Sequence, residues 1–146
     1  MGMFRAIDTS ASGLTAERLR MDVISNNIAN VNTTRTEDGG PFRRQLVIFQ
    51  ARKSYHNWPF EERKTPQPIG SGVRACRIMS DQSPFKLVYD PNHPDADKDG
   101  YVRMPNISIV HEMVDMITAT RAYEANVTCM NSAKDMVNSA LTIGRR

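Results

Sequence analysis

The sequence predicts an α+β chain: long N- and C-terminal helices that pair as a coiled coil, with a small β-rich, loop-containing insert between them. Three observations predict it. Apolar residues recur at helical spacing at both ends. The middle switches to short alternating runs broken by Gly and Pro. Charge is balanced at the ends and not between them: residues 1–32 and 105–146 each sum to zero, residues 33–80 to +5 and residues 81–104 to −2. These breaks set three expected regions: a helix in 1–32, the insert in 33–104 with a mobile loop at 51–72, and a second helix in 105–146.

In the first region Phe4, Ile7, Ala11, Leu14, Met21, Ile24, Ile28 and Val31 recur at steps of three, four or seven, with Arg18 and Ser25 interrupting. Gly13 sits inside the pattern. It costs about 1 kcal/mol against Ala in a helix and reads as a tolerated flaw rather than as a point of close packing. The segment Ser25–Thr34 places Asn26, Asn27, Asn30 and Asn32 within seven residues. Asparagine is poor inside helices and good at their ends. The plain reading is a helix terminus with left-handed caps. Ile28 and Val31 stay on the apolar line, however, so the cluster also reads as a polar lock set into a packed junction.

The insert begins with the turn-rich stretch 33–41. Phe42–Gln50, Val73–Met79, Phe85–Tyr89 and Tyr101–Met104 read as strands. Residues 51–72 hold Pro59, Pro66, Pro68, Gly70 and Gly72 amid charge and read as the mobile loop. So little apolar sequence cannot make a robust domain alone.

From Asn106 to Ile143 there is neither Pro nor Gly. Asn106 or Ser108 can cap the start and Gly144 can end the helix. Steps of four and three trace Ile109, Met113, Met116, Thr120, Tyr123, Val127, Met130, Lys134, Val137 and Leu141. Eight of the ten are apolar where composition predicts four, which is a sustained heptad seam. A second line of mostly small residues runs through Ala122, Asn126, Cys129, Ala133, Met136, Ala140 and Ile143. Two dry seams imply more than one neighbour. The helix would extend roughly 55 Å, beyond the roughly 40 Å of a compact domain this size. The isolated chain is therefore expected to be only partly helical.

Several function classes fall away. A net charge of +3 and a pI of about 9.1 are too mild to point to nucleic acid. No apolar run reaches the roughly 18–20 residues of a membrane span, and the first residues lack the apolar core of a signal peptide. Cys76 and Cys129 form no zinc or redox pattern. His56, His93 and His111 show no ligand spacing. Asp95, Asp97, Asp99 and Gly100 copy the opening of a calcium-binding loop, but its twelfth position is Asn106 where a Glu is required. The plain reading there is a solvated turn. No catalytic residue, cofactor site or metal site is expected.

At the asparagine cluster the sequence resembles a known family. Ile24–Thr33 (ISNNIANVNT) is similar to the N-terminal signature of flagellar rod and hook proteins, the axial proteins of the bacterial flagellum, and Arg121–Asn126 (RAYEAN) to their C-terminal motif. Lys86–Pro91 and Gly100–Asn106 narrow the resemblance to proximal rod subunits. The resemblance implies a structural subunit, not an enzyme. It implies export without a cleaved signal through the flagellar type III apparatus. It implies assembly with other copies and with other rod proteins (proximal rod, distal rod and rod-base adaptor) into a rod that crosses the periplasm and carries torque from motor to hook. It also implies terminal helices that line the inner tube while the insert faces outward. The expected assembly interface comprises Phe4, Ile7, Leu14, Met21, Ile24, Asn26, Asn27, Ile28, Asn30, Val31 and Asn32 on the first helix and Ile109, Met113, Met116, Tyr123, Asn126, Val127, Met130, Val137 and Leu141 on the second. A non-flagellar coiled-coil adaptor, and a calcium-responsive protein built on Asp95, Asp97 and Asp99, are the alternatives.

Overall fold

A computed structural model of the chain describes residues 3–37, 39–52 and 72–144. In chain order the elements are α1 (Met3–Ala29), β1 (Gln45–Ala51), β2 (Val73–Ser80), β3 (Lys86–Tyr89), β4 (Tyr101–Met104) and α2 (Ile109–Ile143). The architecture is α+β, with two long terminal helices and a small β insert between them. The loop expected at 51–72 lies almost wholly outside the described residues.

The helices run antiparallel. Asn27 meets Glu112, Met21 meets Thr120 and Gly13 meets Asn126. At 1.5 Å per residue α1 extends about 40 Å and α2 about 52 Å. The start of α1 therefore stands level with about Met136, and roughly the last two turns of α2 run beyond it.

The asparagine cluster terminates α1 in a different way from the one expected. Among the described residues only glycines have positive φ, so no asparagine adopts a left-handed cap. Instead Asn30 Nδ2 donates to Asn26 O and Asn26 Oδ1, both at 2.9 Å, and Thr33 Oγ1 donates to Asn30 Oδ1. Asn26 O, already accepting from Asn30 N–H, thus takes a second bond from the Asn30 side chain, and the backbone turns on through Val31 N–H to Ile28 O and Thr33 N–H to Asn30 O. At α2 the N-cap position falls to Ser108, which makes no side-chain cap bond, and Gly144 closes the other end in right-handed geometry.

The insert is two separate two-stranded antiparallel sheets, β1 with β2 and β3 with β4. In the first, Gln45 pairs with Ser80 and Ala51 with Val73, and a bulge leaves Cys76 unpaired between Arg77 and Ala75. Val47, Phe49, Val73 and Ala75 alternate inward towards the helices. In the second, Val88 opposes Val102 and Tyr89 opposes Tyr101, whose rings meet edge to face at 5.3 Å. Gly100, at φ +79, closes the β3–β4 loop with its carbonyl accepting from Asp90 N–H. The core is small and gathers where the insert meets the hairpin: Val23, Ile24, Val102, Pro105, Ile107 and Ala119 are buried there.

Candidate assembly interface

The molecule's densest chemistry lies at this junction. Asn27 is 1% exposed and Glu112 is fully buried. Asn27 clamps the backbone of Gln45 at two points: its Oδ1 accepts from Gln45 N–H at 2.9 Å and its Nδ2 donates to Gln45 O at 2.9 Å. An asparagine side chain thus supplies the hydrogen bonds of a missing neighbouring strand at the first residue of β1. The same Nδ2 donates to Glu112 Oε2 at 3.0 Å.

Arg44 completes the cluster. Its Nε donates to Glu112 Oε1 at 2.5 Å and its Nη2 to Asp115 Oδ2 at 3.0 Å, while Asp115 Oδ1 lies 3.6 Å from Arg20 Nη2. A buried carboxylate is tolerated only when its charge and lone pairs are met. Here an arginine and an asparagine meet them, and the consequence is to lock three segments in one geometry. Asn106 adds a further tie, accepting from Arg44 N–H at 3.0 Å. Its amide is thereby drawn away from capping α2. Lys86 Nζ, donating to Ile107 O at 2.5 Å, ties in β3.

On the solvent side of this junction, Asp81 accepts from Ser83 N–H and Ser83 Oγ at 2.9 and 2.6 Å. The Ser83 hydroxyl, then its backbone N–H, hold the Asp81 carboxyl below its ordinary pKa.

Below the junction the helices pack through small side chains. Ser12, Ala16, Ala119 and Ala133 are buried, and a Cβ on Gly13 would come within 2.9 Å of Asn126 Oδ1. Gly13 is thus a point of close approach and not the tolerated flaw its sequence context suggested. Ser12 also stitches on the insert. Its Oγ donates to Thr9 O and accepts from Val73 N–H at 3.0 Å, and a Cβ on Gly72, at φ +82, would overlap it.

The expected interface residues divide. The face of α2 that meets α1 runs through Glu112, Met116, Ala119, Tyr123, Asn126, Met130, Ala133 and Val137, buried or half-buried throughout. It therefore lies between the two lines traced in the sequence. Met116, Tyr123, Asn126, Val127, Met130 and Val137 fall on or beside it, as do Ile7, Leu14, Met21, Ile24, Asn27 and Ile28 of α1. Asn30 and Val31 are half-buried in the turn beyond α1, and Asn26 and Asn32 are exposed. The remainder stay uncovered. Ile109 and Met113, with Val110, Val114 and Ile117, form an exposed stripe centred roughly 130° around the helix from the α1-facing line. Val110 is 71% exposed. Leu141 points along the α1-facing line but past the start of α1, and Phe4 and Ile143 are about three-quarters exposed at 75% and 77%. Sequence reasoning missed Arg44, Glu112, Asp115 and Asn106. The available signal was the pair of charges Glu112 and Asp115 set among Ile109, Val110, Met113, Val114, Met116 and Ile117.

Among the described residues no group of three or more His, Cys, Asp or Glu side chains is gathered as a metal site. Asp95 Oδ2 accepts from Thr34 and Asp97 pairs with Arg103 at 3.7 Å, so the calcium-like run is engaged as a turn. Cys76 and Cys129 are free and exposed. No described helix is long and apolar enough to cross a membrane.

Comparison with known proteins bears on all of this. Residues 7–35 match the family described as Flagella basal body rod protein, and residues 98–143 the family described as Flagellar basal body rod FlgEFG protein C-terminal. Over 98% of both chains the sequence is 56% identical to the flagellar basal-body rod protein FlgC of Borreliella burgdorferi. The chain belongs to the FlgC family. It is 44% identical to FlgC of Bacillus subtilis over 99% of this chain and 100% of that one, and 37% identical to FlgC of Escherichia coli O157:H7 over the same shares. The two matched segments take in α1 from Ile7 onward with its asparagine turn, and β4 with α2. They therefore hold Asn27 and Glu112, while Arg44 comes from between them.

Proposed function

We propose that this structural subunit of the flagellar basal-body rod assembles through its terminal helices with copies of itself and with other rod proteins, and passes torque from motor to hook. The observation that carries the reading is the uncovered stripe Ile109, Val110, Met113, Val114 and Ile117, on a helix whose other face is already occupied by α1. Exposed apolar surface of this extent marks a contact site. Contacts between unlike faces of successive subunits propagate instead of closing.

Within the expected residue set, the members exposed in the single chain, Phe4, Asn26, Asn32, Ile109, Met113 and Leu141, make the contacts between subunits, and the buried ones hold the hairpin that presents them. The regions 1–32, 33–104 and 105–146 act as inner helix, outer insert and inner helix, and the helices associate as a coiled coil. The rod crosses the periplasm, and the chain reaches it through the flagellar type III export apparatus without a cleaved signal. Two features support export in an unfolded state: a small core and a helical seam built of Ala, Ser and Gly. The buried junction then fixes the outer insert to the inner hairpin so that torque on one reaches the other.

Deleting the gene in its host is expected to abolish swimming and to leave basal bodies without a complete rod. A deletion strain with normal swimming and intact filaments would reject the reading. Finding the intact N-terminus on protein recovered from basal bodies tests the export route. A trimmed N-terminus would exclude it.

A further inference from the structure

The β1–β2 sheet lays one face on α1 and leaves the other bare, and β3–β4 buries Val102 on one face and leaves the opposite face bare. The outer face of β1–β2 presents Leu46, Ile48 and Met79 together with Gln50, Arg74 and Arg77. No acidic residue occurs in either strand. Arg77 makes no ion pair or hydrogen bond among the described residues. The outer face of β3–β4 presents Leu87, Tyr89, Tyr101 and Arg103, the two tyrosines already in edge contact and Arg103 paired with Asp97. Its connecting loop carries Asp90, Asp95, Asp97 and Asp99. Asp95 and Asp97 are engaged within the chain, whereas Asp99 has no partner among the described residues. Both faces are exposed in the single chain, so they do not cover each other.

The two surfaces are complementary in sign and in kind. One is apolar and cationic, the other aromatic with a net acidic loop. A guanidinium stacks favourably on a tyrosine face and pairs with a carboxylate. The chain already stacks one guanidinium on an aromatic ring, with Arg43 4.2 Å above Phe85. We propose that the β3–β4 hairpin of one copy docks on the outer face of β1–β2 of a second copy, with Arg77 against the tyrosine pair and Asp99. This contact lies outside the helices and rests on the rod-assembly reading. Because it joins two unlike surfaces, each copy offers one of each, and the contact repeats from subunit to subunit.

The unpaired bulge residue Cys76 supplies the reporter. It lies beside Arg77, with its thiol donating to Gln50 Oε1 at 3.0 Å. In a host lacking its own copy, two versions are co-expressed: one carrying Cys129→Ser, the other Asp99→Cys with Cys76→Ser and Cys129→Ser. Mild oxidation of isolated basal bodies is expected to yield a mixed disulfide between the two versions. Adding Arg77→Glu to the first version should lower its yield at least about tenfold. In otherwise native chains Arg77→Glu and Asp99→Lys should each reduce swimming, and the two reversals together should restore it. Circular dichroism of the purified variants checks that these exposed changes leave the fold intact. Rods recovered in normal amount with no mixed disulfide would overturn the contact while leaving rod assembly standing. So would a Cys76 thiol that reacts with maleimide as fast in rods as in the free chain. Basal bodies lacking the protein altogether would remove the rod reading and this contact with it.

Discussion

The two ends of the helical hairpin are built alike and finished differently. At the junction end every strong polar group has a partner, and Glu112, Asn27, Val102 and Ile107 are all but sealed from solvent. At the far end Phe4, Met136, Leu141 and Ile143 stand in water. The difference is who supplies the cover. The insert returns to the junction through Arg44, Asn106 and Lys86, while towards the far end it reaches only Ser12 and Asp8, through Val73 and Arg52, and leaves Phe4 bare. The sealing is internal: Ile109, Val110, Met113, Val114 and Ile117 stay bare on the outside of the junction end, so apolar surface is left over at both ends of the hairpin.

The sharpest way to break this comparison is at Glu112. Glu112→Ala removes the acceptor of Arg44 Nε and one of the two acceptors of Asn27 Nδ2, leaving Arg44 its bond to Asp115 and Asn27 its bond to Gln45 O. Removing one partner of a buried pair costs about 3–5 kcal/mol, and Arg44 retains some solvent access, so the lower figure is expected in urea unfolding. A change under about 0.5 kcal/mol would mean that the junction is not what holds the insert. Asn27→Ala comes next. It strands both backbone groups of Gln45, and a buried unsatisfied group costs about 1–3 kcal/mol. Asn27→Asp should be no better, since it sets a carboxylate against Glu112 Oε2. Recovery of full stability by the aspartate would refute the clamp.

Hydrogen exchange compares the two ends directly. Amides near 110–120 should exchange only through the largest opening of the isolated chain, and those of 137–143 through local fraying. Equal protection along α2 would erase the distinction. At the far end, Leu141→Ser should change the unfolding free energy of the isolated chain by less than about 0.5 kcal/mol yet reduce its recovery in basal bodies. Loss of monomer stability there would mean that the far end is covered after all.

The smallest effect lies at Asp81. Its carboxyl is held below the ordinary value by the Ser83 hydroxyl and backbone N–H. A lowered folded-state pKa contributes stability that is present above the ordinary carboxylate range and fades as pH falls through the folded value. Ser83→Ala should move the Asp81 titration, followed by carboxyl NMR, up towards normal. An unmoved titration would assign the shift to something other than the Ser83 hydroxyl.

How much was legible in the sequence varies element by element. Helical spacing located both helices, and alternation bounded by turn residues located all four strands to within a few residues. At Asp95–Gly100 the positive φ of Gly100 followed from residue type, but the Asp95 and Asp97 side chains bond Thr34 and Arg103 and not their own backbone. The face that α2 turns to α1 did not follow. Hydropathy counting favours large side chains, whereas close helix contact selects Ala119, Ala133, Asn126 and Gly13, residues that carry little weight in any apolar tally. The polar lock was half visible. Its asparagines stood out by composition, but Arg44 and Glu112 looked like ordinary surface charges until the fold brought them together across 68 positions of chain.

The order of the elements, the excess of apolar positions along α2 and the absence of a recognisable catalytic pattern were set by residue type and spacing alone, because each is a local property of the chain. Which stripe is consumed within the molecule and which remains for a neighbour was decided only by the tertiary structure. That choice depends on side-chain volume and on charges distant in sequence. A helical repeat records that an apolar face exists, and only the packed chain records what already lies against it.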